Sequence, residues 1–170
     1  MSTKTEAEKI EKMFSLIENM EYGMLVTKLN DGSLRSRPMS TKTTDTDDCL
    51  WFLTDADSAK ILEIEENRQV NISFSQPSNH TFVSVTGTAS VTNDKSKLDE
   101  IWGTDAELWF PEGKSSPNLT LIKVAPTTAE YWSSDDGLFV SIYKMATAAM
   151  SGNRPDDLGS NETVKLDAGE

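Results

Sequence analysis

With 170 residues and a formal charge of −12, from 16 Lys and Arg against 28 Asp and Glu, the chain has the length of one domain and the wrong charge for nucleic acid or an anionic membrane. One cysteine, Cys49, excludes an internal disulfide, and with a single histidine it leaves too few ligands for a Cys/His zinc site, so no metal is expected. Lys4, Glu6, Glu8 and Lys9 open the chain without an apolar run, so neither signal peptide nor spanning helix is expected there, and the expected location is cytoplasmic.

Ile10, Met13, Phe14, Ile17 and Met20 recur at the spacing of one helical face, which predicts a helix lying as a lid on a sheet. The period then changes. Tyr22 to Leu29 reads as a strand, Asn30-Asp31-Gly32 as a hairpin turn and Ser33 to Thr43 as the return strand. Asp45 to Asp48 turns the chain into a strongly apolar third strand, Cys49 to Thr54. A short helix over 58–67 buries Ile61, Leu62 and Ile64, with Asp57 or Ser58 as its N-cap. Gln69 to Ser75 is a fourth strand and His80 to Thr92 a fifth, in which Gly87 marks a bulge or a close backbone approach. Lys95 to Trp102 is a brief helix, and Leu119 to Ser133 a last strand. Six short strands with hairpin connections predict a mainly β protein, a small antiparallel barrel with short helices at its rim. Residues 1–150 form that domain; residues 151–170, rich in Gly, Asp and polar residues, are expected to be a partly docked or mobile tail.

Between Arg35 and Lys60 lies a basic cluster in an otherwise acidic chain, suited to a phosphate attached to a flat ring. Arg35 and Arg37 share a strand face, and Pro38 suits an edge strand or a backbone that faces a ligand. Met39 offers a polarizable contact for a ring. Trp51 and Phe52 point to opposite faces, so the strand would serve a ligand through its backbone. Ser58, Ala59 and Lys60 open a helix, where free N–H groups, the helix dipole and a lysine favour a phosphate, and Arg37 adds a bidentate fork. Singly, these residues read as a solvated face, core and a cap; their order carries the reading. His80 follows a Pro-Ser-Asn turn and is read as a surface histidine, not a general base, so no catalytic side chain is assigned. Trp109 and Phe110, in an aromatic stretch of polar setting, suit a subunit contact or a ring cover.

Arg37-Pro38-Met39, Trp51-Phe52-Leu53-Thr54, Ser58-Ala59-Lys60 and the later Trp109-Phe110-Pro111-Glu112-Gly113 and Gly152-Asn153-Arg154-Pro155 resemble the flavin-binding split-barrel superfamily typified by pyridoxamine 5′-phosphate oxidase. The nearest likeness within it is the general stress protein 26 group. The resemblance implies a six-stranded antiparallel split β-barrel and a homodimer with FMN between the subunits. It implies that Arg37, Ser58 and Lys60 hold the phosphate side, with Ala59 beside them at the helix start. It further implies that the backbone of Pro38, Met39, Ser40 and of Trp51, Phe52, Leu53 and Thr54 holds the ring and ribityl chain, and that Trp109 and Phe110 approach from the partner.

True pyridoxamine phosphate oxidases carry a C-terminal segment rich in Arg, His and Trp; Ser151 to Glu170 has Arg154 alone of these. The expected function is therefore FMN binding, with flavin-dependent oxidoreduction of an unidentified small molecule in a stress response, and not vitamin B6 phosphate oxidation. NAD(P)H is the candidate electron donor, since transient stacking on a flavin requires no Gly-x-Gly-x-x-Gly fingerprint. A non-catalytic flavin-binding or flavin-sequestering stress protein is the alternative. FAD stands beside FMN, because an open phosphate end would let an adenylate project into solvent.

Overall fold

The computed structural model describes residues 5–133 and 160–165. Helix α1 (Glu6–Glu18) starts at a reciprocal cap: the Thr5 side chain accepts from the Glu8 N–H, and the Glu8 carboxylate accepts from the Thr5 N–H. Strands β1 (Tyr22–Lys28) and β2 (Leu34–Ser40) form the first hairpin, turned by Gly32 at φ 85°. Then come β3 (Lys42–Thr44), β4 (Asp47–Asp55), α2 (Ala59–Glu66), β5 (Gln69–Gln76) and β6 (Thr81–Thr92). Helices α3 (Lys95–Ile101) and α4 (Thr104–Trp109) lead to β7 (Leu119–Ser133) and β8 (Ser160–Lys165).

All six expected strands are present, yet the described residues hold eight. One extra arises because Ser33–Thr43 is divided at Thr41, whose N–H leaves the ladder for the Glu21 carbonyl at 3.1 Å. The other is β8, which pairs with Thr128–Ser133 of β7 and lies within the segment read as a tail. The remainder of that segment, including the Gly152-Asn153-Arg154-Pro155 turn, lies outside the described residues.

The strands run in the order β2-β1-β5-β6-β7-β4-β3, all antiparallel, with β8 added on β7. Its two ends, β2 and β3, are separated in sequence only by Thr41, so the sheet has to curl until its edges meet. The result is a split barrel. Among the described residues the seam stays open, because β3 reaches β4 only at Lys42↔Trp51 and Thr44↔Asp47, whereas β2 pairs with β1 alone. Pro38 sits on that free edge strand, where its missing donor disrupts no second ladder.

Alternating residues fill the barrel: Leu25, Phe52, Ile72, Val85, Ile122 and Tyr131 are fully buried. Helix α1 covers this core with Met13 and Ile17, as its apolar stripe predicts. A smaller cluster of Trp51, Ile101 and Leu121 lies under α3. At Gly87 the β6 register shifts, and a Cβ there would stand 2.6 Å from the Ala125 carbonyl oxygen, so the bulge and the close approach are both real. Among the described residues no helix is long and apolar enough to cross a membrane.

Candidate functional site

A cavity of about 420 Å³ opens along the seam. Pro38, Met39 and Ser40 of β2 form one wall, and Leu53, Thr54 and Asp55 of β4 the other. Both walls belong to strand edges that have no partner on the seam side among the described residues, because the β3–β4 ladder ends at Trp51. Such edges carry backbone donors and acceptors that a ligand can use. Lys60 stands at one end, at the start of α2. Tyr22, Lys42 and the α4 residues Asp105, Ala106 and Trp109, followed by Phe110, line the remainder.

At the α2 end the local chemistry suits an anion. Lys60 Nζ donates to Thr54 Oγ1 at 3.0 Å, and among the described residues no carboxylate pairs with it. Burial, and then the charge of Arg37, push its ammonium below the usual lysine value, only partly offset by Asp55 and Glu63. An ammonium short of negative charge is relieved by an incoming phosphate. Ser58 is the N-cap of α2, yet its hydroxyl caps no N–H, and Ser58 Oγ is buried without a hydrogen-bond partner among the described residues. The first-turn N–H groups of α2 lie beside it.

Arg37 is placed differently from the expectation of a free fork. Its Nη1 donates to Thr27 Oγ1 at 2.6 Å and its Nη2 to Glu63 Oε2 at 2.5 Å. Arg35, on the same strand face, reaches the other Glu63 oxygen at 2.7 Å. Glu63 comes from α2 and is buried, so it fastens the helix across the end of the β1–β2 hairpin. Burial favours its neutral form, but hydrogen bonds from Thr27 and Arg37 and the charges of both arginines hold the carboxyl below the ordinary glutamate range. This network was invisible in the sequence, where Glu63 reads as one of several acids on a short helix.

Of the expected residues, Pro38, Met39, Ser40, Leu53, Thr54, Lys60, Trp109 and Phe110 line the cavity. The last two do so from this chain itself, because α4 lies along its own seam, where the resemblance implies an approach from the partner. Arg37, Ser58 and Ala59 flank the Lys60 end without lining it. Trp51 and Phe52 send their side chains to the two opposite cores, as their alternation requires, and contribute only backbone to the wall's strand. The Trp51 indole donates to Asp47 and is flanked by the ammonium groups of Lys97 and Lys123. His80 is exposed at a left-handed turn position and does not line the cavity.

Tyr22, Lys42, Asp55, Asp105 and Ala106 are cavity residues that the sequence reading did not assign. Tyr22 was legible in principle, since it lies opposite Ser40 across the first hairpin. Asp105 was not, because the six residues of α4 are too few for a helical period to show. Trp109 lines the cavity with 72% of its surface exposed, and Phe110 pairs with Trp102 at 6.5 Å between ring centroids.

A family model described as pyridoxamine 5′-phosphate oxidase like matches residues 8–156. Protein bli-3 of Neurospora crassa is 25% identical over 155 residues, covering 85% of this chain and 74% of that protein. The crystal structure of the general stress protein 26 from Bacillus anthracis str. Sterne is similar with a TM-score of 0.65 and 29% identity, over 72% of this chain and 92% of that one. That of the general stress FMN/FAD binding protein from Xanthomonas citri has a TM-score of 0.67 and 28% identity, over 78% and 93%.

Proposed function

We propose that this chain, which belongs to the pyridoxamine 5′-phosphate oxidase like family, is a flavin-binding protein that takes FMN in its seam cavity and passes electrons between the flavin and a small molecule. The observation that carries the reading is the α2 end of the cavity: a lysine without a carboxylate partner beside a buried, unpartnered Ser58 hydroxyl and a helix start. The Xanthomonas citri relative, named for FMN and FAD binding, supports it.

In this reading Lys60, Ser58 and the first-turn N–H groups of α2 take the phosphate, with Ala59 setting the close backbone approach. Arg37 contributes its field from beside them, its fork held by Glu63 and Thr27. The open edges at Pro38–Ser40 and Leu53–Thr54 hold the ring and ribityl chain by backbone hydrogen bonds, continuing to Trp51 and Phe52 along β4. Met39 and Leu53 supply apolar contact, and Trp109 and Phe110 offer aromatic surface to the ring. A bound flavin supplies reversible hydride and electron transfer. The exposed Trp109 and the open mouth fit completion of the site by a second copy in a homodimer.

Titrating flavin-free protein with FMN and with riboflavin tests the binding. Saturable FMN binding several-fold tighter than riboflavin is expected, and equal affinities refute the phosphate end. Anaerobic addition of NADH or NADPH to the loaded protein, followed by air, tests turnover. Bleaching and return of the flavin absorbance is expected; a flavin that neither donor reduces identifies a binding protein without turnover.

A further inference from the structure

Two lysines line the cavity, and their surroundings differ. Lys60 has a hydroxyl as its partner. Lys42, at the end formed by β2, β3 and α4, is held by Asp105, with Nζ 2.9 Å from Oδ1 and 2.8 Å from Oδ2. Ser40 Oγ donates to the same carboxylate at 3.1 Å. The pair is shielded from water, with side-chain exposures of 24% and 30%, so its attraction is less screened than that of a surface pair. Burial pushes the Asp105 carboxyl toward its neutral form, but Lys42 and Ser40 hold it below the ordinary aspartate range, so the carboxylate stays ionised at neutral pH.

The turn before α4 is shaped for this contact. A Cβ on Gly103 would stand 2.7 Å from Asp105 Oδ1, so a larger residue there would make the carboxylate shift from its present position beside Lys42. A lysine facing a ligand cavity is ordinarily an anion site. Here the cation is already occupied, and any anion brought to it would face the Asp105 charge at contact distance.

We propose that Asp105 is a specificity-determining residue, which by occupying Lys42 closes this end of the cavity to anions and reserves it for an uncharged or cationic ring. The second ligand of the site is then an uncharged or cationic aromatic or heteroaromatic redox partner, not a phosphate ester bound through its phosphate. The assignment of that partner to a redox role rests on the flavin reading above; the rejection of anions rests on the Lys42–Asp105–Ser40 geometry alone.

Pyridoxine and pyridoxine 5′-phosphate share a ring and differ by a phosphate, which makes them the probe pair. Their binding is followed through flavin absorbance in FMN-loaded protein. It is also followed through tryptophan fluorescence in flavin-free Lys60→Ala protein, where Lys60 cannot take the phosphate. In both forms the wild-type Asp105 background is expected to bind the phosphate ester no tighter than pyridoxine. Asp105→Asn is expected to improve the ester relative to pyridoxine by about tenfold or more, the scale of one charged hydrogen bond. Adding Lys42→Met should abolish that gain, which a merely structural role of the pair would not predict. Tighter ester binding with Asp105 in place, or no relative gain in a folded Asp105→Asn protein, overturns the proposal. Asp105→Ser provides the same readout if the amide disturbs α4. If FMN does not bind at all, the flavin reading fails and the flavin-free comparison still decides this one.

Discussion

Replacing Glu63 by Gln removes one charge from a position that is 7% exposed and accepts hydrogen bonds from Thr27, Arg35 and Arg37. The three partners differ in weight. Arg35 is 52% exposed, so its pair with Glu63 is worth about 0–1 kcal/mol. Arg37 is only 16% exposed, and its charge-assisted bond is worth roughly 1.5–3 kcal/mol. The substitution also leaves the Arg37 guanidinium shielded without its counter-charge, which brings the total to about 3 kcal/mol, the low end for a broken buried pair. At roughly 2–4 °C per kcal/mol for a domain of this size, Tm should fall by about 6–12 °C at pH 7. The pH dependence has a definite sign. Despite burial, Thr27 and the two arginines hold the Glu63 carboxyl below its unfolded value of 4.5, so its stabilisation is fully present above that pH. It is lost as pH falls through the lower, folded value, while the amide of the Glu63→Gln variant has no proton to gain. Scanning calorimetry from pH 7 down to about 3 should therefore show the gap between the two proteins narrowing below about pH 4.5. A Tm loss of less than about 2 °C at pH 7, or a gap unchanged by acid, would refute the assignment of Glu63 as the ionic anchor of α2.

Lys60→Ala should weaken FMN by roughly 1.5–3 kcal/mol and leave riboflavin unchanged in a fluorescence titration; equal losses would remove Lys60 from the phosphate. FMN affinity should also fall with rising pH before an ordinary lysine at 10.5 would titrate, because burial and Arg37 lower the Lys60 value, and the alanine variant should lack that limb. Analytical ultracentrifugation should find a dimer in the flavin-loaded protein; a monomer that binds FMN equally tightly contradicts a shared site. Loaded protein incubated with pyridoxamine or pyridoxine phosphate should make no pyridoxal phosphate, since the spare cations Arg35 and Lys42 are each held by a carboxylate. Multiple turnovers at about 1 per second or faster would restore the oxidase assignment.

The elements of the barrel were legible because alternation of period two, an Asn-Asp-Gly turn and an apolar stripe on α1 are local signals. The edge position of Pro38 and the bulge at Gly87 were legible for the same reason, each being a backbone property written into one residue. Strand β8 was not, since Ser-Asn-Glu-Thr-Val-Lys shows little apolar alternation and its pairing with β7 is made by backbone bonds. Helix α4 escaped because six residues cannot display a helical period.

The residue types of the site and their order were set by the sequence alone, which is why eight of the thirteen expected residues line one cavity. Which charges remain free was decided only by the tertiary structure. Along the chain nothing marks Arg35, Arg37 or Lys42 as already paired, but Glu63 lies 26 residues beyond Arg37 and Asp105 lies 63 beyond Lys42. Those separations are bridged only when α2 and α4 dock against the curled sheet, so no local pattern records them. Charge pairing depends on distance in space, and the fold leaves Lys60 as the one lysine at the seam without a carboxylate partner among the described residues.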